Sequence, residues 1–338
     1  MDSRLEALKA WVGEELKLDN SRIEPASADA SFRRYFRVRR SPDDLIVMDA
    51  PPDKEDLTPF LQVAGMLLEV GVNVPRILAR DIGRGFLLLS DLGSQQYLDA
   101  LQAGARVDAL YDDALDSLLR MQLHGREPAQ RLPRYDRALL LREMALMPEW
   151  FFARHLGLKM SDRERSMIDA VYETLVDNAG AQPETFVHRD YHSRNLMVCG
   201  TANPGILDFQ DAVQGPITYD LVSLLKDCYI AWPAAQVRAW ALSFRARLLG
   251  AGLGAGADET EFLRWFDLMG LQRHLKVLGI FARLWYRDGK RGYLADLPLV
   301  LRYVRDTAQS YPQTAEFAAF IDAKVAPLFG AAQPRESA

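Results

Sequence analysis

Apolar residues recur at helical spacing at Leu5, Leu8, Val12 and Leu16, which predicts an amphipathic helix over residues 2–18. The period then shortens. Residues 31–38 and 45–48 alternate as strands around a Ser41-Pro42-Asp43-Asp44 turn, 56–70 reads as a helix ended by Gly71, and 76–79 and 85–89 complete a small antiparallel sheet. From Gly93 the helical period dominates, over 107–124, 137–156, 162–178, 221–232, 234–249, 260–286 with a break expected near Gly270, 297–307 and 314–328. Three short apolar runs interrupt it, at 185–187, 196–199 and 205–207, with a turn rich in Gly, Asn and Pro between the last two. Residues 250–256 alternate glycine with small residues between two helices, which makes them a loop, and the tail from Gly330 is expected to fray.

The 338 residues, 49% hydrophobic and 26% charged, suffice for two packed regions. A net charge of −5 carries no basic footprint for nucleic acid or a membrane surface, and nothing in the chain marks an obligate protein partner. The first residues lack a leader pattern and no apolar run is long enough for a membrane span, so a cytoplasmic protein is expected. Cys199 and Cys228 have no metal-type spacing and are read as buried thiols.

The chemistry concentrates in one stretch. His188-Arg189-Asp190 is followed five residues after the aspartate by Asn195, and Asp208 stands in Ile206-Leu207-Asp208-Phe209. That spacing suits phosphoryl transfer of the kinase type: a carboxylate for the acceptor hydroxyl, and an amide and a second carboxylate for Mg²⁺ on the phosphates of ATP. A hairpin over 196–207 would bring Asp208 beside Asn195. Alone, each of these residues would read as a loop cap; the joint spacing makes Asp190 the candidate base and Asn195 and Asp208 the candidate metal ligands. His188 is read as a loop-orienting residue, and Asp220, at the start of an apolar helix, as a structural cap that holds the loop.

With these residues placed, the chain resembles the aminoglycoside phosphotransferase and choline kinase-like superfamily. His188, Asp190, His192 and Asn195 match its loop, and Asp208, Gly215-Pro216 and Asp220 match its metal-binding segment. Residues 29–37, 48–52, 188–197 and 271–276 narrow the resemblance to bacterial anomeric sugar kinases, over nearly the whole chain. The resemblance implies an α+β, bilobal, protein-kinase-like fold, with a nucleotide lobe over 1–92 and a larger, mostly helical catalytic and substrate lobe over 93–330, leaving 331–338 as tail. It further implies ATP- and Mg²⁺-dependent phosphorylation of the C1 hydroxyl of N-acetylmuramate, N-acetylglucosamine or both. Two alternatives stay open: another small-molecule kinase of the superfamily, for an aminoglycoside, an amino alcohol or a different sugar, and a nucleotide-binding pseudokinase.

The pseudokinase alternative arises because the strand position of a phosphate-pairing lysine falls near Met48, and methionine cannot neutralise phosphate. Arg33, Arg34 and Arg37 are the substitutes considered; Arg33 is chosen, beside Ser31 and Phe32 in a loop poor in glycine. Leu89 and Asp91 mark the expected hinge against adenine. For the sugar the candidates are Arg142 and Glu143 on one helix, His192, Gln210 and Asp211 after the metal aspartate, and Arg273 and His274, which with Lys276 add positive charge that would suit a lactyl carboxylate.

Overall fold

The computed structural model describes residues 2–18, 22–28, 32–256 and 258–332. The chain divides into two compact units, residues 1–117 with 194–211, and residues 118–193 with 212–338. The sequence puts the division after residue 92, whereas 93–117 and the segment 194–211 pack with the sheet.

In the first unit, α1 (Ser3–Ala10) is capped by the Asp2 carboxylate, which accepts from the Leu5 amide, and continues as a wider turn over Trp11–Glu15. Five antiparallel strands follow: β1 (Arg22–Ala28), β2 (Arg34–Arg39), β3 (Leu45–Asp49), then, after helix α2 (Thr58–Glu69), β4 (Ile77–Asp81) and β5 (Phe86–Ser90). Their order is β1-β2-β3-β5-β4. Phe36, Val38, Leu45, Val47, Phe86 and Leu88 form one face of the sheet and bury Leu8, Trp11 and Val12 of the first helix and its extension. Strand β1 lies outside the sequence expectation. It is an edge strand with Pro25 and an irregularity between Pro25 and Ser27, so its apolar alternation is broken. Gly85 turns the β4–β5 hairpin at φ +76°, where an added Cβ would lie 1.9 Å from the Ala50 carbonyl oxygen.

Helix α3 (Tyr97–Gln102) and the start of α4 (Val107–Gly125) complete this unit. To it the chain later returns β7 (Leu196–Met197) and β8 (Gly205–Ile206), which pair antiparallel as expected. The hairpin is tied down by Val198 N–H to the Gln95 carbonyl at 2.8 Å and Ile206 N–H to the Asn73 carbonyl at 2.8 Å.

The second unit contains α5 (Arg137–Met144), α6 (Asp162–Gly180), the two-stranded sheet of β6 (Glu184–Val187) and β9 (Val213–Pro216), α7 (Tyr219–Leu225), α8 (Ala234–Gly250), α9 (Glu259–Tyr286), α10 (Leu297–Gln309), α11 (Ala315–Phe320) and α12 (Ala326–Ala332). Pro148 opens a separate π-type segment over Met147–His155, so the single helix expected over 137–156 is two. The break expected near Gly270 does not occur: α9 runs 28 residues. One glycine weakens a helix by ~1 kcal/mol without ending it. The glycine that matters is Gly279, where an added Cβ would meet Leu146 at 2.3 Å from its carbonyl carbon. Helix α7 stops at Leu225, and 226–233 is irregular rather than helical to 232. The chain is helical through Ala332; the remaining tail residues lie outside the described residues.

Candidate active site

The motif spans both units, because the chain passes from the second to the first between Ser193 and Arg194. Each half is built by its own surroundings.

In the first unit, Leu196 pairs with Ile206, and the Leu207 amide donates to the Asn195 carbonyl at 2.9 Å, which sets Asp208 two residues beyond the end of the ladder. Asp208 has φ +61°, a backbone conformation that non-glycine residues adopt at a cost of about 1–3 kcal/mol and that clusters at functional sites. The neighbouring Phe209 ring anchors the segment on Phe60 of α2 at 4.9 Å. Gln210 donates to Asp208 Oδ1 at 2.7 Å, so it is employed on the candidate metal aspartate, while Asp211 is exposed. Asn195 and Asp208 offer hard oxygen donors in the small number that suits Mg²⁺, which keeps waters and takes phosphate oxygens. Among the described residues no cluster of three or more His, Cys, Asp or Glu forms an all-protein cage.

The remaining nucleotide candidates of this unit divide. Phe32 is 64% exposed and its amide donates to Glu55 at 3.0 Å, while Arg33 Nε stands 3.5 Å from the same carboxylate. Ser31 lies outside the described residues. Arg34 bonds Asp49 and Asp2, and Arg4 adds a second guanidinium to Asp49. Arg37 holds Asp91, whose Oδ1 also accepts the Gly93 amide at 2.8 Å, so its carboxylate is already committed within this unit. Met48 and Leu89 are side chains of the sheet. Both are buried, at 0% and 2% exposure, in the interior of the sheet, where Met48 pairs with Tyr35 and Leu87.

In the second unit the loop after β6 is held from beneath by Asp220, whose two carboxylate oxygens accept the amides of His188 at 2.7 Å and Arg189 at 3.0 Å. This is the bonding that a loop-holding carboxylate requires. Arg189 sits at φ +76°, and the Asp190 amide donates to His188 Nδ1 at 3.3 Å, so the buried histidine orients the turn. Burial and the nearby Asp190 charge push the Asp220 carboxyl up to about 7 against the pull of the two amides. Asp190 behaves oppositely. Burial works against its charge, but Lys276, His192, Arg189 and Arg273 outweigh it and hold the carboxyl below its ordinary value. A carboxylate held ionised is a competent proton acceptor.

The cations come from a buried network. Glu143 receives the Arg189 guanidinium, the Tyr135 hydroxyl and Lys276 Nζ, the last at 3.1 Å, and Lys276 also donates to the Tyr219 hydroxyl at 3.1 Å. Glu143 is thus an internal counter-ion rather than a free sugar contact. Arg142, one residue before it, is less buried on another side of α5, because successive helix residues point about 100° apart. His274 is also corrected: it is fully buried, stacked on Tyr303 at 4.8 Å, and its Nε2–H donates to the Lys226 carbonyl at 2.9 Å. Burial and the adjacent Arg273 push its pKa down to about 3, so it is a neutral core residue.

His192 packs edge-on against Tyr229 at 5.3 Å. Asp227, which the sequence does not single out, ties the two together, accepting the Ser193 amide and hydroxyl at 3.0 and 2.6 Å and the Tyr229 amide at 3.1 Å. In the sequence Lys276 stands only as added charge, and Arg189, Tyr135 and Tyr219 carry no role. The signal that could find them is the occurrence of polar residues inside apolar helical stretches: buried charges need partners, so Arg273, Lys276 and Glu143 within predicted helices point to a shared network.

The phosphotransferase enzyme family matches residues 22–263. An N-acetylmuramate/N-acetylglucosamine kinase of Pseudomonas aeruginosa is 46% identical over 325 residues, covering 93% of this chain and 95% of its own, and that of Pseudomonas putida is 45% identical over 95% and 96%. Among solved structures, a choline/ethanolamine kinase family protein from Mesorhizobium loti superposes with TM-score 0.63 at 14% identity, over 94% of this chain and 98% of that one. The GDP complex of an aminoglycoside 2′-phosphotransferase gives 0.60 at 15%, over 92% and 100%. At these identities the two structures establish the shared α+β, protein-kinase-like fold, with its five-stranded antiparallel sheet and helical region.

Proposed function

The chain belongs to the phosphotransferase enzyme family, and from that premise we propose that it is an ATP-dependent kinase for the anomeric hydroxyl of N-acetylmuramate and N-acetylglucosamine, acting in the cytoplasm to make the sugar 1-phosphate for cell-wall recycling. The substrate reading is supported by relatives of that name at 42–46% identity over at least 93% of this chain. The reaction class rests on one observation above the others, the Asp190 carboxyl held ionised in a loop pinned by Asp220. No helix among the described residues is long and apolar enough to cross a membrane.

In this reading Asp190 accepts the proton of the C1 hydroxyl as its oxygen forms a bond to the γ-phosphorus. The bond from that phosphorus to the leaving oxygen of ADP breaks, and the proton passes from Asp190 to solvent. Mg²⁺, held by Asn195 and Asp208, would neutralise developing charge on the phosphate oxygens. Asp220 and His188 keep the Asp190 turn in place, and His192, packed edge-on against Tyr229, would supply polar and aromatic groups of the kind a sugar ring requires.

The test is coupled ADP release with the two sugars, choline and kanamycin, followed by assay of the product's reducing end. Turnover of a sugar with loss of its reducing end is expected. Absence of turnover on both sugars, or a product that keeps a free reducing end, overturns the proposal.

A further inference from the structure

Three cationic or potentially cationic residues, Arg273, His274 and Lys276, lie close together on α9, and the structure separates them. Lys276 already has Glu143, and His274 is neutral and stacked in the core. Arg273 differs from both. It is 3% exposed, and the hydrogen bond it makes runs from Nη1 to the Cys228 sulfur at 3.2 Å. Among the described residues it forms no ion pair with a carboxylate. A thiol is a weak acceptor, and burial pushes that of Cys228 up to about 11, so it supplies no negative charge at neutral pH. The thiol meets one of the five guanidinium donors, and although the charges of Asp190 and Asp227 also act on Arg273, neither carboxylate forms an ion pair with it, so donors remain for a further anion. Arg273 is also close enough for its charge to act on Asp190, and Cys228 lies between Asp227 and Tyr229, the residues that brace the catalytic loop and His192.

We infer that Arg273 is the receptor for a carboxylate carried by the sugar substrate, and so determines acceptance of the acidic, lactyl-ether sugar relative to its uncharged counterpart. The inference rests on the sugar-kinase reading above. A carboxylate would displace the thiol and take two guanidinium N–H groups in parallel. Arg273 makes no bond to the reacting oxygen, so its contribution is to binding and orientation of one substrate class.

The experiment measures kcat/KM for N-acetylmuramate and N-acetylglucosamine with the full chain, in wild type, Arg273→Met and Arg273→Lys. The readout is the ratio of the two values, which is independent of how much of a preparation is folded. We expect both to fall in Arg273→Met, with the ratio moving at least ~30-fold against the acidic sugar, the scale of a lost charge-assisted hydrogen bond. Arg273→Lys restores part of the ratio, since a single charge remains without the bidentate fork. A ratio within about threefold of wild type in both variants assigns Arg273 to packing and overturns the inference. Wild-type turnover of the uncharged sugar alone overturns it too, leaving the kinase reading intact; turnover of neither overturns the kinase reading itself.

Discussion

Asp220→Asn isolates the grip on the catalytic loop. The substitution keeps the volume and one acceptor oxygen, but turns an amide NH₂ toward one of two backbone donors that the carboxylate now satisfies, the His188 amide at 2.7 Å or the Arg189 amide at 3.0 Å. Hydrogen bonds to a charged group contribute about 1.5–3 kcal/mol, and a buried donor left without an acceptor costs about 1–3 kcal/mol. The released strain of Arg189 at φ +76° favours relaxation of the same turn. A loss of about 1.5–3 kcal/mol of loop organisation corresponds to a kcat roughly 10- to 100-fold lower at pH 8, where the wild-type carboxylate is charged.

The pH dependence gives a second, independent readout. The folded pKa of Asp220 is raised to about 7 from 3.8, so its contribution to stability is fully present below about 3.8 and is lost as pH rises through 7. The spread amounts to about 4 kcal/mol. Ionisation at the top of that window is also what lets both oxygens accept amides. In wild type, kcat should therefore climb through an acid limb near pH 7 while thermal stability declines, and Asp220→Asn should flatten both dependences together. Steady-state kinetics and thermal unfolding from pH 5 to 9 supply the data. A variant within threefold of wild-type kcat at pH 8, or one that keeps the limb near 7, refutes the assignment.

Asp190→Asn should lower kcat by several orders of magnitude while calorimetric affinity for ADP changes little; an active variant removes Asp190 as base. Lys276→Met removes the leading source of positive charge on Asp190, so the acid limb that Asp190 sets should move upward from below the ordinary carboxylate range, with greater loss of kcat at pH 5 than at pH 8. Because the Asp190 pKa is lowered on folding, that carboxyl stabilises wild type above about pH 3.8 and the contribution is lost as pH falls through its folded value; Lys276→Met should shrink this dependence in acid unfolding. Gly279→Ala drives a Cβ to 2.3 Å from the Leu146 carbonyl carbon and 2.6 Å from its oxygen. Backbone cannot step aside as a flexible side chain can, so the cost should reach the upper end of the 1–3 kcal/mol of overpacking, lowering Tm by roughly 5 °C or more, whereas Gly270→Ala, with 3.5 Å to Lys226, should not destabilise.

What was legible in the sequence were features with a local cause. The Asp190–Asn195 spacing, the 196–206 hairpin and the long helices each follow from turn residues or a hydrophobic period within a dozen or so positions. What was not legible depends on where distant segments meet. Strand β1 exists because an edge tolerates Pro25, and Met48 and Leu89 are buried by packing on the faces of β3 and β5, which the alternation within either strand does not reveal. Glu143 and Arg142 are equally polar in sequence; only the placement of Arg189 and Lys276 makes the first of them an internal counter-ion.

That placement bears on how the catalytic carboxylate is tuned. Burying Asp190 alone would raise its pKa and weaken it as an anion, and a single adjacent cation would bind it in a salt bridge and cover the oxygen that must meet the substrate. Lys276 and Arg189 both bond Glu143, and their charge also acts on Asp190. Glu143→Gln therefore distinguishes tuning from packing. It keeps the shape of the network but frees two cations, and the Asp190 limb should move further down in pH rather than up. An upward shift would mean that Glu143 acts by positioning Arg189 and the loop, and that the through-space account of Asp190 is wrong.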